Sequence, residues 1–152
     1  MAEAATDVIA LSQAWGEAEP WRYPGFLDKV VALQRLRELD GAGPVQLFDR
    51  SPICTLALAW YLGHPVSDLL ASEVERVVQD SVFDRRVFFV RPLGFVTPTV
   101  ELRISYADSL EFEKIHEMAY QVHGYELVDV PRADIAERAA LVDRHIRSWY
   151  PK

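Results

Sequence analysis

Three short, nearly uninterrupted apolar runs constrain this chain most: VQLF at 45–48, VFFV at 87–90 and ELVDV at 126–130. Runs of four or five residues are too short for helices. They match strands covered on both faces, the usual state of strands in a parallel sheet. The segments around them carry helical spacing instead. Val8, Leu11 and Trp15 share one face near the start, and Phe26, Val30, Leu33 and Leu36 recur before the turn DGAGP. Pro52 opens a helix whose apolar face is Ile53, Leu56, Ala57, Trp60 and Tyr61, closed by Gly63, and Pro65 to Val78 is read as another helix. Asp108 with Glu111, and Asp134 with Glu137, resemble capping boxes with Asp in the capping position. The first would open a helix with Phe112, Ile115, Ala119 and Val122 turned inward. The second would open one with Ile135, Ala139, Val142, Ile146 and Trp149. Strands separated throughout by helices predict a three-layer α/β/α sandwich with a mainly parallel sheet. At 152 residues the chain reads as a single domain, 1–152.

In such sheets ligands bind beyond the carboxyl ends of the strands. Two runs deliver charge to that edge: VQLF ends in Asp49 and Arg50, and VFFV ends in Arg91. A carboxylate there can hold Mg²⁺, directly or through water, against a nucleotide phosphate. An arginine beside it can bind a phosphate or carboxylate through two parallel hydrogen bonds.

Composition narrows the alternatives. A net charge of -7 argues against a general nucleic-acid or membrane-surface binder. The single cysteine, Cys54, excludes an internal disulfide framework and reads as a small buried side chain after Pro52. No apolar run approaches the roughly 18 residues of a membrane span. The acidic start MAEAATDVIALSQAWGEAEP does not resemble a signal peptide, so a soluble cytoplasmic protein is expected. The stretch HEMAYQVH places His116 and His123 two turns apart, whereas the zinc motif H-E-x-x-H needs one turn. The two histidines read as a partly exposed helix face. DRSPI around Ser51 is not a G-x-S-x-G elbow.

The order of pieces resembles the P-loop kinase-like ATPases, specifically the small AAA-type family related to nucleoside and nucleotide kinases. The stretches that carry the resemblance are EAATDVI, VQLFDRSP, VFFV with RP after it, ELRISYADSLEFEKIHEMAYQVHGYELVDVP and AERAALVDRHI. Together they cover nearly the whole chain, and HGYELVDVP with its acidic helix start looks like that family's last strand and helix. The resemblance implies that FDR is the Walker B region, with Asp49 facing Mg²⁺ and Arg50 near substrate or phosphates. It implies that Glu3 binds substrate or acts as a base. Arg103, in the lid-like segment, would close over the transferring phosphate. Pro131 and Arg132 would lie beside the nucleotide base. ATP with Mg²⁺ and an unknown small-molecule acceptor would be the ligands, with no nucleic acid or membrane partner.

The family's G-x-x-x-x-G-K-[ST] phosphate loop has no counterpart here. None of the three lysines, Lys29, Lys114 and Lys152, has the required glycine spacing. The family begins with a strand, that loop and a helix, so the resemblance implies an N-terminally truncated P-loop NTPase-like domain. The missing first strand would lie between the Walker B strand and the next one, leaving two open edges facing a gap. Either those strands close up, or a homo-oligomer or another partner covers the incomplete sheet, or the protein starts upstream. The sequence alone therefore implies a chain that binds ATP poorly, or a non-catalytic relative acting through protein–protein contact.

Overall fold

The computed structural model describes residues 3–93 and 106–151. Helix α1 (Ala4–Ala14) leads through a 3-10 turn (Pro20–Arg22) to α2 (Gly25–Leu39), α3 (Pro52–Leu62) and α4 (Asp68–Gln79). Strand β1 (Arg86–Val90), α5 (Tyr106–Val122), β2 (Glu126–Val130) and α6 (Ile135–Trp149) follow. The chain is α/β, mostly helical, with a two-stranded sheet in the described residues.

Local chemistry explains most boundaries. Pro52 occupies the first turn of α3 behind an extended Ser51, and Gly63 ends the helix in the left-handed region at φ 67°. Ser67 caps α4, accepting from the Leu70 amide at 3.1 Å, and its hydroxyl donates to Asp28 of α2 at 2.5 Å. That cap, rather than Pro65, sets the start of α4. Asp134 accepts from the Glu137 amide at 2.8 Å, the capping role expected for it. Asp108 does not stand at the N-cap position expected for it: the described part of α5 already includes Tyr106, and Asp108 sits in its first turn, where a carboxylate favours the helix dipole.

β1 and β2 pair in parallel, in register from Arg86 opposite Glu126 to Val90 opposite Val130. The expected strand at 45–48 is not one. Those residues form no ladder in the described structure. An apolar run becomes a strand only when a neighbour accepts its backbone hydrogen bonds, and no described strand lies against it. Leu47 is 52% exposed, and Val90 at the end of β1 is 56% exposed. Both are unusual for residues of a sheet interior.

The core lies among the helices. Leu27, Val30 and Val31 of α2, Ile53 and Ala57 of α3, and Leu70 and Val77 of α4 are essentially inaccessible. α6, by contrast, buries no residue. Its C-terminal end is held by Trp149, which stacks on Phe88 at 5.0 Å between centroids with the Arg86 guanidinium 4.0 Å over its ring. Between the 45–51 run, β1, α5 and α6 lies a cavity of about 1160 Å³.

Candidate functional site

The cavity wall is built where α3 begins. Asp49 and Arg50 stand just before that helix, and Arg50 takes the left-handed backbone conformation at φ 75°. Such a conformation in a non-glycine residue is costly and tends to occur where a side chain must be aimed. Both residues line the cavity. Glu3, the residue before α1, faces the Arg50 Nε at 3.4 Å and accepts from the Thr6 hydroxyl at 3.1 Å. The fold thus brings Glu3, Asp49 and Arg50, three of the sequence-predicted residues, to one place.

Arg50 reaches across to α5, with one guanidinium nitrogen 3.3 Å from His116 Nε2. His116 Nδ1 lies 2.9 Å from the Phe112 carbonyl, which can only accept. Nδ1 therefore carries the proton, and Nε2 accepts from Arg50. His116 is 5% exposed, not part of an exposed helix face as its spacing suggested. Next to it, the Tyr120 hydroxyl lies 2.9 Å from Ser51 Oγ and 3.1 Å from Cys54 Sγ. Burial works against the charge on Arg50, but Cys54, Glu3 and Asp49 more than offset it and raise its pKa above the ordinary value. Burial likewise pushes the Tyr120 hydroxyl well up.

The other predicted residues lie elsewhere. Arg91 is held by three carboxylates, Glu113 at 2.7 Å together with Glu117 and Asp129, and lies over the Phe89 ring. Those carboxylates hold it firmly protonated. In this state it clamps β1 to α5 and β2 and offers no free guanidinium to a phosphate. Pro131 and Arg132 are exposed beyond β2 and do not line the cavity. Arg103 falls outside the described residues.

Sequence reasoning missed His116, Tyr120 and Cys54 as cavity residues. A signal existed. Phe112, His116 and Tyr120 recur every four residues on α5, and Ser51 and Cys54 are three apart at the start of α3, so each set shares a face. The face turned inward on α5 carries His116, Ala119 and Tyr120, whereas Val122, expected inside, is exposed.

A Mg²⁺–nucleotide complex fits this site only in part. Mg²⁺ in nucleotide sites commonly takes one or two carboxylates and completes its shell with phosphate oxygens and water, which Asp49 at the cavity wall satisfies. The phosphates find Arg50 but no glycine-rich loop of backbone amides. Among the described residues no group of three or more His, Cys, Asp or Glu side chains gathers as a metal cluster, and no helix is long and apolar enough to cross a membrane.

A parallel strand pair joined through a helix and packed beside further helices defines an α/β domain. A family model described as "AAA domain" matches residues 1–138, and the chain belongs to that family of P-loop NTPase-type domains. No curated protein and no solved structure matches the chain.

Proposed function

We propose that this chain carries the metal and substrate side of a kinase-like P-loop ATPase site and, on its own 152 residues, binds Mg-ATP weakly. The observation that supports it is the placement of Asp49 and Arg50 at one cavity wall, with Glu3 paired to Arg50 behind them, without a phosphate cradle. Asp49 is the metal-side carboxylate. Arg50 contacts phosphate or substrate, and Glu3 orients Arg50 or binds the acceptor. Arg103 serves as the lid arginine, and Pro131 and Arg132 border the base. Phosphoryl transfer to a small-molecule acceptor, or ATP hydrolysis, requires a phosphate loop beside them, because catalysis of this kind rests on positioning and charge stabilisation. The protein acts as a single cytoplasmic domain.

A second reading, a non-catalytic interaction protein, is favoured by the edge of β1 that no described strand covers and by the exposed Val45 and Leu47 of the cavity wall. A strand supplied by a second copy or another protein would seat between them and complete a three-layer α/β/α sandwich.

One titration separates the two. Calorimetry with Mg-ATP should read a dissociation constant weaker than about 1 mM, dependent on Mg²⁺ and lost in Asp49→Ala. Millimolar or tighter binding overturns the weak-binding claim. Weak binding that survives Asp49→Ala overturns the role of Asp49. No nucleotide effect at any concentration, with partner binding intact in Asp49→Ala, favours the interaction protein.

A further inference from the structure

Two consecutive residues at the cavity wall are gripped by one face of α5. Arg50 donates a guanidinium N–H to His116 Nε2 at 3.3 Å, and the Ser51 hydroxyl lies 2.9 Å from that of Tyr120. His116 and Tyr120 are one helical turn apart, so both grips come from the same side. Arg50 takes the left-handed backbone conformation at φ 75°, which a residue with a side chain keeps only where its surroundings fix it. His116 is fixed in turn. Its Nδ1–H donates to the Phe112 carbonyl at 2.9 Å, and its ring meets the Phe112 ring edge-on at 4.2 Å between centroids. The Phe112 ring rests against Tyr61 of α3 at 4.8 Å. The type of acceptor matters. Arg91 is bound by three carboxylates, Glu113, Glu117 and Asp129, which orient it and offset its charge at once. Arg50 has one carboxylate in ion-pair contact, Glu3 at 3.4 Å from Nε, with Asp49 next to it in sequence. On its other side stands an imidazole whose bare Nε2 accepts a hydrogen bond and brings no negative charge. Neither contact uses Nη2, so its two N–H donors remain for a ligand in the cavity that Arg50 lines.

We propose that His116 is a positioning residue for a phosphate-oxygen site at Arg50: it aims the guanidinium without adding an opposing charge, while Tyr120 secures the strained turn at Arg50 and Ser51. This role rests on the reading of Arg50 as the phosphate or substrate contact and adds that α5 sets its direction. His116 acts through Arg50 and not on the ligand itself. A guanidinium already held in one orientation loses little rotamer freedom when an anion accepts from it. Without the acceptor on α5, Arg50 is free to turn toward Glu3 and Asp49, and binding an anion must then order the side chain first.

Nuclear magnetic resonance on the 152-residue chain, with inorganic pyrophosphate as the probe, tests the site. Without the probe, the ring nitrogens of His116 should show the Nδ1–H tautomer with Nε2 unprotonated. Pyrophosphate should then shift the Arg50 Nε–H resonance. His116→Leu should weaken that binding about tenfold, the size expected for losing one hydrogen bond to a charged group. His116→Gln, whose side-chain carbonyl can accept in place of Nε2, should stay within about threefold of the unmodified chain. The methyl signals of Ile53 and Leu70 report whether each variant keeps its core. An Nε2–H tautomer in the unmodified protein overturns the role of His116, and that arm needs no variant to fold. An Arg50 resonance that pyrophosphate does not move, with the Nδ1–H tautomer present, overturns the phosphate reading of Arg50 and the site with it. Equal binding by His116→Leu and the unmodified chain overturns the positioning role alone. Equal loss in both variants, with the core intact, overturns hydrogen-bond acceptance as its means.

Discussion

The two sides of this molecule differ in how completely they are closed. Among α2, α3 and α4, Leu27, Ile53, Leu70 and Val77 have almost no accessible surface. Around β1 and α6 the pattern is reversed. α6 buries nothing, Val90 and Leu47 are exposed, and a cavity of about 1160 Å³ separates elements that would otherwise touch. That volume exceeds the roughly 300–1,000 Å³ of a small-ligand pocket. The comparison teaches that a closed helical core can stand beside a sheet that, among the described residues, has only two strands. It also shows that every residue proposed for chemistry near Arg50 sits on the border between the two regions.

Mutations on either side can break or sharpen that comparison. The largest effect is expected at Ile53→Ala, which removes a fully buried side chain from the closed core and should cost about 2–5 kcal/mol in urea denaturation. Loss of less than about 1 kcal/mol would mean that the helical side is no better packed than the other. The smallest is expected at Leu47→Lys, which places a charge on the exposed apolar run. Stability should change by no more than about 0.5 kcal/mol. A cost of about 2 kcal/mol or more would show that the run is buried in solution, by collapse or by a second copy.

Where the fold was legible in sequence, the signals were local. Pro52 and Gly63 bound α3, Asp134 with Glu137 marks α6, and VFFV and ELVDV are the two strands. Where it was not, the determinant was a partner distant in sequence. VQLF has the composition of a strand, but composition reports that a run wants burial and cannot supply the neighbour that makes a ladder. His116 looked like a surface residue because helical spacing says which residues share a face, not that Arg50, 66 residues earlier, meets that face. Asp49 and Arg50 do line the cavity, but not as the strand-end rule for locating ligands foresees, because the run before them is not a strand. That rule also failed to foresee that Arg91 would be held by Glu113, Glu117 and Asp129, three carboxylates from two other elements.

The central claim is that, among the described residues, the sheet stops at β1, whose far edge faces the cavity. The ladder makes this readable at single amides. The Arg91 amide donates to the Val130 carbonyl at 3.0 Å. By the alternation of a parallel ladder, the Val87 and Phe89 amides also point at β2, while those of Phe88 and Val90 point away from it. Hydrogen exchange resolved by residue should therefore find Phe88 and Val90 exchanging at least about tenfold faster than Val87 and Phe89. Equal protection of all four amides would contradict the claim, because it would require a strand already seated along the edge of β1.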